Sequence, residues 1–289
     1  MAASGHSDGK ALALLYGSRL GRLLLYPLTA RSVSRAVGWL LDRRVSCCLI
    51  SGFARRGGIR LSDYVPQKYR SFNDFFTRRI RMELRPLDRE PMHLMAPCDG
   101  RLSVYAIGEK STFQIKNSWY DVASLLGQDE RAARFAGGIC LVFRLAVDDY
   151  HRYHYFDSGK KGENHFIPGC LHTVRPIALE HTQVFVQNCR EYTFLETEHF
   201  GLAAQVEVGA LLVGRIRNRQ EAGSYDRGAE KGCFEYGGST VVLLLEKGRA
   251  QVDERFWKST ARGQETRVRL GERIGCSAEL TRGAKQDKI

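Results

Sequence analysis

No run in this 289-residue chain reaches the roughly 18 uninterrupted apolar residues that a membrane-spanning helix requires. Any contact with a bilayer is therefore expected to be peripheral. The amino-terminal stretch lacks the charged start, central apolar block and small-residue cleavage site of an export signal. None of the eight cysteines is spaced for a zinc site, and a reduced, cytosolic compartment fits them best. There is no H-E-x-x-H, no internal repeat and no low-complexity tract. Acidic residues are scarce in one place: residues 1–90 hold 7 Asp and Glu against 17 Lys and Arg, whereas the remainder holds 25 against 27. Of the net charge of +12, +10 thus lies in the first third. Such a segment seeks an anionic surface, either nucleic acid or an acidic bilayer.

The chain has ample material for a core, at 43% hydrophobic and 10% aromatic residues. Leu12, Leu14, Leu15, Tyr16, Leu20, Leu23, Leu24 and Leu25 form a helix-like apolar pattern that Pro27 ends. A second helix is expected from about Arg31 to Phe53, where Val37, Leu41, Val45 and Leu49 recur every four residues with Trp39 nearby, and Gly57 and Gly58 stop it. Both are amphipathic and basic, suited either to the headgroup layer of a membrane or to packing on the protein's own core, with room for both on different faces. The cluster Phe72–Arg79 reads as helix core with Arg78, Arg79, Arg81 and Arg85 solvated, since no nucleic-acid module surrounds it. Pro86 to Pro97 reads as a connector.

From Ala96 the pattern changes to short strands and turns. Ile139–Ala146, Gln183–Val186, Tyr192–Leu195, Gln205–Val208 with an apolar stretch reaching Val213, and Thr240–Glu246 all look strand-like, and most of the 29 glycines lie beyond residue 100. The fold class expected is α+β: amphipathic amino-terminal helices followed by a turn-rich, barrel-like or sandwich-like β domain. The division expected is a basic helical region over 1–90 and a catalytic domain over 91–289.

Chemistry is suggested by three segments. Gly237-Gly238-Ser239-Thr240 puts a serine between permissive glycines and a run of strand formers, so the Gly238 carbonyl can be bent toward the next residue's hydroxyl. Asp148-Asp149-Tyr150-His151-Arg152-Tyr153-His154 follows a core strand with two histidines three apart, which read as bases or as ordinary loop residues and lack a third ligand for a metal. Ala96-Pro97-Cys98-Asp99-Gly100 sets a carboxylate in a turn, where its plainest role is to cap its own backbone. A serine hydroxyl needs a base, imidazole titrates in the right range, and a carboxylate can fix the imidazole tautomer. The residue two after Ser239 is Val241, so the hydrolase elbow G-x-S-x-G is absent, which leaves attack on the serine's own peptide bond.

At these segments the chain resembles the phosphatidylserine decarboxylase family. The resemblance takes in Gly237 to Val242, the approach Glu230, Lys231, Gly232 and Glu235, the segment Asp149 to His154, Asp99-Gly100, Phe72–Arg79 with Arg85-Pro86, and Val208, Gly209, Ala210, Val213 and Gly214. It runs from about Tyr64 to Lys247. The resemblance implies self-cleavage between Gly238 and Ser239 into a β chain, 1–238, and an α chain, 239–289, with Ser239 converted to a covalent pyruvoyl cofactor and no metal. It makes Asp99, His154 and Ser239 the maturation triad, with His154 the base and Asp99 orienting it, and gives His151 to decarboxylation. It implies that phosphatidylserine in an anionic membrane condenses with the pyruvoyl carbonyl as a Schiff base and leaves as phosphatidylethanolamine. A peripheral location on the cytoplasmic face of a bacterial-type cell membrane is expected, with no nucleic acid, association of its own two chains, and a homo-oligomer compatible. The alternatives are a pyruvoyl enzyme for another amino-acid substrate and a non-catalytic membrane-binding domain.

Overall fold

The apolar run Val241–Leu245 makes sense only in a strand buried on both faces, because alternate residues of a strand point to opposite sides. Val242 and Leu244 enter one core cluster and Val241, Leu243 and Leu245 another. A computed structural model describes residues 15–18, 21, 23–25, 29–115, 118–211, 215–236 and 239–280. Gly237 and Gly238 lie outside the described residues, as do Val213, Gly214 and the Leu12, Leu14, Leu20 and Pro27 of the first apolar pattern.

The described helices include α1 (Arg31–Leu41), α2 (Cys48–Arg56), α3 (Phe72–Phe76) and α4 (Glu254–Ala261), with further helical segments of four to six residues at Val122–Leu125, Pro176–His181 and Val184–Gln187. The strands are β1 (His93–Met95), β2 (Gly100–Ala106), β3 (Thr112–Ile115), β4 (Ser118–Asp121), β5 (Ile139–Leu145), β6 (Arg152–His154), β7 (Gly159–Lys161), β8 (His165–Ile167) and β9 (Arg190–Thr197). They continue as β10 (Gly201–Val208), β11 (Ile216–Asn218), β12 (Gly223–Tyr225), β13 (Glu230–Phe234), β14 (Ser239–Leu245), β15 (Ala250–Val252), β16 (Thr266–Val268) and β17 (Arg273–Ser277). Among the described residues a nine-stranded sheet runs β12-β7-β9-β10-β14-β5-β2-β16, with β8 also on β9, and its pairings are antiparallel. Its ends do not meet, so the β domain is an open sheet with smaller sheets β1-β17-β15 and β11-β13-β6 beside it. The fold is α+β, as expected, and sandwich-like rather than a closed barrel.

Four local expectations give way. The helix read over Arg31–Phe53 is broken into α1, a 3-10 turn at Arg44–Cys47, and α2. The Ser46 hydroxyl donates to the Leu41 and Arg43 carbonyls at 2.9 and 2.6 Å and accepts from the Phe72 N–H, serving groups a continuous helix would have served. Val184–Gln187 is a helical turn rather than a strand, because it buries Val184 and Phe185 together, which overrides β-branched propensity. The stretch Pro86–Pro97 contains β1. Arg78 and Arg85 are not solvated: Arg78 is 1% exposed, with its guanidinium against the Tyr64 and Phe75 rings and bonded to the Asp148 and Asp149 carbonyls.

The helical segment has two faces. Val37, Leu41, Ile50, Phe53 and Ala54 pack with Phe72, Phe75 and Phe76, while Trp39, Leu40, Val45 and Leu49 face outward, Trp39 at 57% and Val45 at 67% exposure.

Candidate active site

The functional segments meet because three strands end together. In the sheet Ser239, the first residue of β14, lies opposite Leu145, the last of β5. On the other side of β5, Gly100 opens β2 so close that a Cβ there would stand 3.0 Å from the Arg144 carbonyl oxygen, a tight approach that glycine makes without displacing the neighbouring strand. Adjacent strands are spaced by about 4.8 Å, so the backbones beside Asp99 and at Ser239 are on the order of 10 Å apart. The chain leaving β5 reaches His151 and then His154, whose backbone N–H donates to the Pro97 carbonyl at 2.8 Å. The His151 carbonyl accepts from the Phe234 N–H at 2.9 Å, which sets it beside the approach to Gly238. Asp99, His151, His154 and Ser239 therefore gather at one end of the sheet.

Their immediate partners are specific. His154 Nδ1 lies 2.8 Å from the Gly228 carbonyl oxygen, which can only accept, so Nδ1 carries the proton and Nε2 presents its lone pair. That Nε2 is buried and has no hydrogen-bond partner among the described residues, and the same holds for the Ser239 hydroxyl. Burial pushes the His154 pKa below its ordinary value, outweighing the upward pull of the Gly228 carbonyl. His151 Nδ1 likewise donates to a carbonyl, that of Asp149, at 2.9 Å, and its ring lies 4.1 Å from that of Phe76.

Asp99 is turned to Arg85, which grips it through two hydrogen bonds of 2.8 and 2.6 Å, and it also accepts from the Leu270 N–H at 2.8 Å. Burial lowers the Arg85 pKa, but the hydrogen bond and charge of Asp99 outweigh it and the net shift is upward. No hydrogen bond joins Asp99, His154 and Ser239 to one another among the described residues. The partner that fixes the His154 tautomer is the Gly228 carbonyl.

The approach to Gly237 is pinned from both sides. Glu235 is paired with Arg215 and Arg217, at 3.1 and 2.5 Å. Tyr236 packs edge-on against Phe53, Phe72 and Phe76, and its N–H donates to the Asn73 side-chain oxygen at 3.3 Å. The Phe72–Arg79 cluster reads from sequence as helix core and as part of the family resemblance, and its seating of Tyr236 is a long-range contact that spacing does not show. A second support joins two sheets: Lys231 of β13 and Glu207 of β10, both fully buried, meet at 2.7 Å, with Asn218 and Gln205 completing the network. Burial pushes the Glu207 carboxyl up while Lys231 pulls it down. Glu207 stands opposite Val241 in β14, two residues from Ser239.

No group of three or more His, Cys, Asp or Glu among the described residues has the arrangement of a metal site. The family model described as phosphatidylserine decarboxylase matches residues 72–276. The chain is 40% identical over 265 residues to the phosphatidylserine decarboxylase proenzyme 2 of Clostridium acetobutylicum, an alignment covering 91% of each protein. It is 38% identical over 276 residues to the phosphatidylserine decarboxylase proenzyme of Ruminiclostridium cellulolyticum, covering 93% of this chain and 92% of the relative. It is 36% identical over 274 residues to the proenzyme of Chlamydia felis, with 93% and 92% covered. The matched span holds Asp99, both histidines and Ser239 within the arrangement just described, and on these grounds the chain belongs to the phosphatidylserine decarboxylase family, a family of carboxy-lyases.

Proposed function

We propose that the chain cleaves itself between Gly238 and Ser239 and then decarboxylates phosphatidylserine to phosphatidylethanolamine. The observation that carries this reading is the pair of buried, unpartnered atoms, Ser239 Oγ and His154 Nε2, at one end of the sheet in a member of this family. A hydroxyl and a bare imidazole nitrogen left without partners in a protein interior are costly, and such costs are retained where chemistry needs them. His154 Nε2 accepts the Ser239 proton, and the oxygen attacks the Gly238 carbonyl carbon, exchanging the peptide bond for an ester. Elimination releases Gly238 as a carboxylate, and hydrolysis of the remaining enamine consumes one water and frees one ammonia. The Gly228 carbonyl holds the base in the right tautomer. Arg85 fixes Asp99 and with it the turn whose Pro97 carbonyl anchors the His154 backbone.

The fit of a pyruvoyl group rests on Ser239 itself, whose side chain stands without a partner in the described interior. Such a group supplies a carbonyl that serves as an electron sink when an amino acid loses carbon dioxide. His151, steadied by the Phe76 ring and the Asp149 carbonyl, is given the return of a proton to the substrate α-carbon.

The exposed Trp39, Leu40, Val45 and Leu49, among Arg43, Arg44, Arg55 and Arg56, support seating of the basic region 1–90 on an anionic leaflet. No described helix is long and apolar enough to cross a membrane. The test is release of carbon dioxide from phosphatidylserine vesicles beside free serine, with vesicle binding followed as salt is raised. Turnover of the lipid and salt-weakened binding are expected. Turnover of free serine alone, or binding indifferent to salt and to removal of residues 1–60, contradicts the reading.

A further inference from the structure

A cavity of about 510 Å³ opens beside His154, and its walls carry Tyr150, Glu230, Arg219, Arg79 and Arg81. Its volume suits a small polar ligand. The arginines around it are not equivalent. Arg219 and Arg152 share Glu230, at 2.7 and 2.6 Å, Arg85 is engaged by Asp99, and Arg78 is buried on backbone carbonyls. Arg79 and Arg81 are exposed, and neither side chain has a hydrogen-bond or carboxylate partner among the described residues. Glu83 is the remaining carboxylate of the wall, so two free cations face one free anion.

The backbone beneath them is held. Ile80 is buried and bridges Tyr64, the Val65 N–H donates to the Arg79 carbonyl at 2.8 Å, and the Arg81 N–H donates to the Asp63 carbonyl at 3.0 Å. In such an extended strip residues two apart share a side, so Arg79 and Arg81 are presented together. The mouth is apolar as well as cationic: Val65 and Met82 belong to the same cavity and are exposed, and Leu61 and Leu84 are exposed nearby in the chain. An apolar rim, a cationic pair and a buried imidazole correspond to the acyl chains, phosphate and amino-acid end of a glycerophospholipid.

We propose that Arg79 and Arg81 form an anion subsite that grips the phosphodiester of the substrate headgroup and so positions its amino-acid end toward His154. This rests on the reading of the site as a phosphatidylserine decarboxylase. Guanidinium is suited to the task, since it offers paired N–H donors to phosphate oxygens and keeps its charge at any working pH. A phosphate ester is selected over a free amino acid, which offers these cations nothing beyond its own carboxylate.

The test uses the mature, self-cleaved enzyme and a short-chain phosphatidylserine held below its micelle concentration, with deacylated glycerophosphoserine alongside. In R79Q/R81Q, KM for both substrates is expected to rise about tenfold, the scale of losing charge-assisted hydrogen bonds, with kcat changed less than about twofold. R79K/R81K falls between. An independent readout is titration of the uncleaved Ser239→Ala protein with glycerophosphoethanolamine and with inorganic phosphate, both of which should bind about tenfold more weakly once the arginines are replaced. A denaturing gel confirms that the arginine variants mature.

Unchanged KM on the monomeric substrates overturns the subsite. So does a loss seen only on vesicles, which assigns the arginines to bilayer attraction instead. Weakened phosphate binding with unchanged glycerophospho-ester binding overturns it too, leaving a site for free phosphate. If the wild-type enzyme does not turn over phosphatidylserine at all, the substrate reading fails separately, and the titrations still decide whether the two arginines hold a phosphate ester.

Discussion

In the proposed reaction Ser239 and His154 carry the chemistry because of what surrounds them rather than what they are. Burial keeps the imidazole neutral, and the Gly228 carbonyl leaves its Nε2 as the basic nitrogen. The rate of self-cleavage should therefore climb with pH and level off on the acid side of the ordinary imidazole value of 6.5, measured by following the precursor band after a pH jump. A midpoint above 6.5 would mean that His154 is not the base. The stability sign follows from the same shift. An unfolded chain takes up a proton at His154 sooner than the folded one, so this group's contribution is complete above 6.5 and fades as pH falls from there toward the lower folded value. Ser239 stands out in the sequence as a candidate because glycines before a serine and an apolar run after it form a local signal, one that an ordinary turn shares. The Arg85 grip on Asp99 and the Gly228 hold on His154 were not legible there, since they join residues 14 and 74 positions apart. Arg78 misled for a related reason: a basic residue after an aromatic cluster reads as solvated until Tyr64 and the Asp148 and Asp149 carbonyls enclose it.

At the scale of elements, α3 and β13 hold the segment before the proposed cleavage site. Helix α3 is short, begun by the Ser71 hydroxyl accepting from the Asp74 N–H at 3.1 Å, and its phenylalanines seat Tyr236. Strand β13 is tied to β10 by Lys231 and Glu207. Removing one partner strands a buried charge, so Lys231→Met should cost about 3–5 kcal/mol in denaturant unfolding of the Ser239→Ala protein. Replacing both, as Lys231→Met with Glu207→Leu, should recover much of that loss. A single substitution without measurable cost would show that the pair is not a support. The strand β14 was legible from its unbroken apolar run, and β5 from Ile139–Leu145, because burial on both faces removes the polar alternation. The turn at Val184–Gln187 was not, since the three apolar residues Val184, Phe185 and Val186 fit a strand and a helical turn equally well until their packing is known.

Across the whole molecule, β14 lies between β10 and β5, with six registered residue pairs on one side and seven on the other. Cleavage before Ser239 would leave this central strand in the smaller chain. The two chains should then travel as one species in native size-exclusion chromatography and separate only under denaturing conditions. Loss of the smaller chain from the native peak would contradict that placement. The basic charge in the first third and the outward Trp39 and Val45 lie in the same amino-terminal region, where they support the proposed seating on an anionic leaflet; the charge distribution alone fits nucleic acid as well as a bilayer.

The measurement that tests the central claim most directly is the intact mass of the purified protein beside that of Ser239→Ala. The account predicts two wild-type polypeptides of 238 and 51 residues, 289 minus 238 giving the second, with the smaller lighter than its sequence mass by one ammonia and the variant a single uncleaved chain. A wild-type protein that remains one full-length chain, or a small fragment that still begins with an intact serine, would contradict it.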